Sequence, residues 1–158
     1  MSLFTNLFNG FASAFAPPRA NPAEVAAETC CQQLGWSIDE RPSPNEIWLS
    51  FKDSLIRRRN VQVGFGADGV YMGFRVFSAV SMPAKMVPHA VMGYMLERNG
   101  NLYVGWEVCI QENDIVGFAV SYFALAAGIR PELFKTICET MIQEAHEFDV
   151  RMHKAGVL

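Results

Sequence analysis

Residues 102–111 alternate without a break: Leu102, Val104, Trp106, Val108 and Ile110 are apolar, and Tyr103, Gly105, Glu107, Cys109 and Gln111 stand between them. A period of two puts the two sets on opposite sides of a β-strand, so the chain must build a sheet with one face turned to a core. The pattern recurs upstream. Ile47, Leu49 and Phe51 alternate with Trp48, Ser50 and Lys52; Val61, Val63 and Phe65 alternate with Asn60, Gln62 and Gly64. Ala67-Asp68-Gly69 supplies turn chemistry, because Asp-Gly tolerates the positive φ of a tight hairpin, and a third strand over 70–80 returns from it. Glu112-Asn113-Asp114 turns the 102–111 strand into a fifth, 115–125, which is apolar on both faces.

Between these strands the period lengthens to that of helices. Asn21-Pro22 with Glu24 in the next turn predicts an N-cap, a helix whose inward stripe is Val25, Thr29 or Cys30, and Leu34, and an end at Gly35. The stretch from Pro42 to Pro44 reads as loop. Pro88 opens a second helix carrying Val91, Met92, Met95 and Leu96 and stopping at Asn99-Gly100. After Gly128 and Pro131, Leu133, Ile137, Met141, Ala145, Phe148 and Met152 form the apolar stripe of a long amphipathic helix. The expected fold is α+β: a curled, mostly antiparallel five-stranded sheet in the order α-β-β-β-α-β-β-α, packed against helices. A chain of 158 residues matches one such core, so residues 22–158 are expected to form one domain, preceded by an apolar segment and linker over 1–21.

That leading segment is unlike the rest. From Met1 to Pro18 there is no charged side chain, and Phe4, Leu7, Phe8, Phe11 and Phe15 fall at helical spacing before Pro17, Pro18 and Pro22 break the chain. It lacks the basic start of a secretory signal and is read as uncleaved. It also lacks the Lys/Arg face of a strong membrane-surface helix, which leaves at most weak membrane-surface contact. No window is long and apolar enough for a transmembrane segment.

Chemistry-bearing patterns are few. Gly64-Phe65-Gly66-Ala67-Asp68-Gly69 spells the dinucleotide fingerprint, but the residues that follow alternate as a strand where the fingerprint needs a helix, so a hairpin is expected. A net charge of −3 argues against nucleic acid as a partner. Arg57, Arg58 and Arg59 point alternately up and down on a strand and are expected at a solvated strand end. His146, Asp149 and His153 share one stripe of the last helix, read as a solvated face, and His89 has no ligating neighbour in sequence. Cys30, Cys31, Cys109 and Cys138 form neither a disulfide framework nor metal knuckles and read as buried thiols in a reducing compartment. No Ser/His/Asp, Cys/His or G-x-S-x-G pattern is present, so no catalytic residue, cofactor or metal is expected.

Apolar residues make up 51% of the chain and charged residues 18%, more apolar than a typical domain needs for its core alone. Trp48, Tyr71, Phe77, Tyr103, Phe118 and Tyr122 tend to alternate with the core set, as though the sheet offered aromatics on its second face too. The expected protein-interaction residues are Phe4, Leu7, Phe8, Phe11, Phe15, Trp48, Tyr103, Phe118 and Tyr122. The alternative is a small-molecule-binding domain or enzyme with a pocket between sheet and helices, lined by Trp106, Phe74 and Tyr122.

The Pro88 helix ending in Leu96-Glu97-Arg98-Asn99, the Gly105-Trp106-Glu107 strand after it, and Ile129-Arg130-Pro131-Glu132 before the long last helix resemble the YbjN-like, type III secretion chaperone-like superfamily over about residues 22–153. The charge-free leading segment departs from that pattern. The resemblance implies a small acidic bacterial cytoplasmic protein with no enzymatic activity, often a homodimer, that binds protein partners or client segments through apolar sheet and helix surfaces.

Overall fold

The computed structural model describes residues 20–52, 58–101 and 104–156. Helix α1 spans Pro22–Leu34 and is capped as its sequence dictates: Asn21 Oδ1 accepts the Ala23 N–H at 2.9 Å, Pro22 occupies the first turn, and Gly35 closes the helix at φ +68°. Its buried stripe differs from expectation. Ala23, Ala27, Cys30 and Cys31 face inward and Val25 is exposed, since α1 packs against the last helix and β4 through small residues that bring the backbones together.

Six strands form the sheet where five were expected. The additional strand, β1 (Glu40–Ser43), pairs antiparallel with β2 (Glu46–Lys52). All four of its residues are exposed, so it carries none of the apolar alternation that reveals a strand. β3 (Arg58–Phe65) and β4 (Tyr71–Pro83) make the hairpin predicted at Gly64–Gly69, with Gly66 N–H donating to Tyr71 O at 3.0 Å and Gly69 at φ +68°. Helix α2 (His89–Asn101) leads to β5 (Gly105–Ile110), and β6 (Ile115–Leu125) leads to α3 (Pro131–Lys154). α2 runs through Gly100 instead of stopping there. The order across the sheet is β1-β2-β3-β4-β6-β5, with every neighbouring pair antiparallel.

The three described α-helices lie on one face. There Ile47, Leu49, Val61, Val63, Met72, Phe74, Val76, Phe118 and Val120 meet Phe134, Ile137, Met141, Ala145 and Phe148 of α3. Phe74 meets the Phe134 ring edge-on at 5.3 Å, and Trp106 packs on Phe148 at 4.6 Å, which places Trp106 in the core beneath α3 as expected. Val108 and Ile110, on the same side of β5, emerge into solvent beyond the cover of the helices.

One charged pair is buried in this layer. Asp149 of α3 accepts from Arg59 Nη2 at 2.6 Å, from the Ser78 hydroxyl at 2.6 Å and from the Ala79 N–H at 3.1 Å, while Arg59 Nη1 donates to Phe77 O at 3.3 Å. Ser78 and Ala79 sit where the β4–β6 register shifts, so Asp149 supplies an acceptor to backbone that the irregular ladder releases. Two expectations are corrected. Arg59 is not at a solvated strand end, and Asp149 is not on a solvated stripe: inward parity on β3 and α3 brings them together across 90 positions of sequence. Arg58, of opposite parity, is exposed and bonds Asp39 at 3.0 Å. Arg57 lies outside the described residues.

Candidate interaction surface

Among the described residues no helix covers the second face of the sheet. Its side chains come in rows set by the strand registers. One row runs Glu46, Gly64, Gly73, Phe123, and the next runs Trp48, Gln62, Arg75, Ser121. Gly64 and Gly73 are direct Cα partners, so the first row has bare backbone at its centre. The result is a trough of about 380 Å³ walled by Tyr71 and Phe123 and bordered by Glu46, Gln62, Arg75 and Ser121. Phe123 is 73% exposed and leans over Gly73, where an added Cβ would lie 3.0 Å from its ring. The charged groups at the border have hydrogen-bond partners: Glu46 accepts the neutral Trp48 indole N–H at 2.5 Å, and Arg75 Nε donates to Glu107 in an ion pair at 2.5 Å. The carboxylate beside it raises the pKa of Arg75 further above its ordinary value.

A second open region is the outer edge of β5. Asn99 of α2 closes its first position like a single residue of a neighbouring strand, taking the Trp106 N–H on Oδ1 at 2.5 Å and donating from Nδ2 to Trp106 O at 3.0 Å. These bonds show that the backbone of Trp106 faces away from β6. Backbone direction alternates along a strand, so Val108 and Ile110 direct their N–H and C=O groups the same way. Both elements here carry exposed apolar side chains: Ile110 at 81% and Val108 on the strand, Leu96 at 70% and Met92 on α2, the helix that packs on β5. Arg98 and the buried Glu144 bind through two hydrogen bonds and hold α2 to α3, with Arg151 set 4.6 Å over the Tyr94 ring.

The residues expected to form the interaction surface divide. Trp48 lies half-buried on the open face, together with Tyr71 and Phe77. Phe118 does not. It is 0% exposed, 5.4 Å from the Phe148 ring, and Tyr122 also faces the helices, 6.4 Å from Phe74. The cause is register: Val116 pairs with Ile110 and Val120 with Trp106, so even-numbered residues of β6 point to the helices. Phe123, of the opposite parity, takes the exposed place. A strand apolar on both faces hides this choice from the sequence, and the edge formed by Ile110 and Leu96 needs the fold to become visible. Phe4, Leu7, Phe8, Phe11, Phe15 and Tyr103 lie outside the described residues.

Reactive chemistry is sparse. Burial pushes the Cys31 thiol up to about 11 and Cys138 higher still, and Cys30 and Cys109 are raised for the same reason, so none is poised as a thiolate nucleophile. Among the described residues no three His, Cys, Asp or Glu side chains gather to hold a metal. The aromatics of the alternative reading pack together: Trp106 on Phe148, Phe74 on Phe134, and Tyr122 on Phe74. No described helix is long and apolar enough to cross a membrane.

No family model matches the chain, and neither does any curated protein. Solved structures do. YbjN from E. coli, a candidate transcription regulator, superimposes with a TM-score of 0.58 at 14% identity over 82% of this chain and 90% of its own. A chain of the ExsC-ExsE complex superimposes with a TM-score of 0.51 at 12% identity over 85% of this chain and 95% of its own. The helix-strand succession, the six-stranded antiparallel sheet and these two likenesses together give the chain a YbjN-like, type III secretion chaperone-like fold.

Proposed function

We propose that this chain is a non-enzymatic, chaperone-like protein-interaction module that binds an extended segment of another protein by strand addition at β5. The observation that carries the reading is the β5 edge, where Val108 and Ile110 direct their backbone groups away from β6 and expose their apolar side chains, while the neighbouring helix α2 exposes Leu96 and Met92. Strand addition needs those two features: main-chain groups give affinity, and neighbouring apolar side chains give register. The ExsC-ExsE complex, a structural neighbour, is itself a complex of two proteins, which supports the same reading. The edge also suits a second copy, because β5 pairing with β5 about a two-fold axis is self-complementary, so a homodimer is the simplest assembly it supports. Four free cysteines, three of them buried, suit the reducing cytoplasm.

A photo-crosslinking amino acid placed at Ile110, and as a control at the exposed Lys135, tests this in cells. Crosslinks from position 110 to a discrete second chain, absent from position 135, support the reading. Equal, diffuse crosslinking from both positions overturns it.

A further inference from the structure

The open face of the sheet and the charge-free leading segment meet at one point. Asn21, the cap of α1, also donates from Nδ2 to Gly66 O at 2.9 Å. Gly66 is one of the residues lining the trough. Pro22 presses on the same turn: a Cβ added at Gly69 would lie 2.3 Å from Pro22 Cδ. The start of α1 is therefore clamped to the β3–β4 turn, so the chain that precedes Asn21 is attached beside the trough. We propose that the leading segment of this chain, through Phe11 and Phe15, occupies the trough between Tyr71 and Phe123 on its own sheet.

Reach permits it. Six residue-to-residue steps lead from Asn21 back to Phe15 and extend to at most about 20 Å. The trough crosses β3, β4 and β6, and neighbouring strands lie about 4.8 Å apart, so its far wall stands about 10–15 Å from the clamp. The chemistry matches as well. Gly64 and Gly73 leave a floor without side chains, Tyr71 and Phe123 offer exposed aromatic walls, and Arg75 is held by Glu107 at the border, so the walls and floor suit an apolar occupant. Met1 to Pro18 is that kind of sequence, and its clamp at Asn21 keeps it at high effective concentration. The trough is separate from the β5 edge, so the proposal stands or falls independently of strand addition there.

The test uses the full chain with a photo-crosslinking amino acid at Phe11, read by mass spectrometry on a mixture of isotopically light and heavy protein. Crosslinks to 71–75 or 121–125 within one chain are expected. Crosslinks confined to α2 and β5, crosslinks only between light and heavy chains, or none to the trough overturn the proposal. A second variant, Phe123→Ser, leaves the helix-side core untouched. It is expected to lower the crosslink yield several-fold and to raise binding of a dye specific for apolar surface; an unchanged yield and an unchanged dye signal overturn the assignment of the trough.

Discussion

The two faces of this sheet are built from the same strands and do opposite things. On the helix side, Phe74, Phe118 and Trp106 fit ring against ring under α1, α2 and α3, and the one charge on β3 that points inward is met by a buried carboxylate. On the other side the strands carry glycines, amides, paired charges and the exposed Phe123. The neighbours Arg58 and Arg59 show the contrast at a single step of sequence, the first in water and the second in the core. Alternation creates two faces, and the helices decide which one holds the molecule together.

The largest break in that contrast is Trp106→Ala, expected to cost about 3–5 kcal/mol in denaturant unfolding, because it empties a packed site under α3. Asp149→Ala follows at about 3 kcal/mol, since it takes a carboxylate partner from a buried guanidinium and an acceptor from Ala79. The paired change Arg59→Met with Asp149→Leu sharpens the point: it removes both charges and is expected to cost less than Asp149→Ala, the remaining loss of about 1–3 kcal/mol coming from the acceptor taken from Ser78 and Ala79, and a double-mutant cycle separates the two. Arg58→Ala, on the open face, is expected to cost about 0.5 kcal/mol or less, as for other exposed ion pairs, and a loss near that of Asp149→Ala would erase the distinction between the faces. Ile110→Lys should leave the thermal midpoint nearly unchanged while lowering the mass seen by light scattering if β5 joins two copies.

Much of the fold was legible because its signals are local. Asn21, Pro22 and Gly35 mark α1, Asp68-Gly69 marks the hairpin, and strict alternation marks β2, β3 and β5. β1 escaped because an edge strand exposed at every residue carries no pattern to read. The interaction surface was less legible. Parity on β6 cannot be chosen when both faces are apolar, so the sequence does not distinguish Phe118 and Tyr122, which face the helices, from Phe123, which is exposed on the other side. The Arg59–Asp149 pair joins residues whose sequence neighbours give no hint of each other, and its logic lies in the register shift of β4, which only the three-dimensional ladder reveals.

The small detail of Asn99 on Trp106 bears on how large an assembly built from this chain can become. A sheet open along both borders polymerises, each newcomer offering the next a fresh template. Here one border is the four-residue β1, which contains Pro42 and is followed directly by Pro44, so its backbone donors are depleted. At the other border the Asn99 amide already fills the first position, so an incoming strand finds room for only a short match. If β5 takes a strand as proposed, growth from such a sheet would stop after one addition and give a closed pair of fixed stoichiometry instead of a fibre.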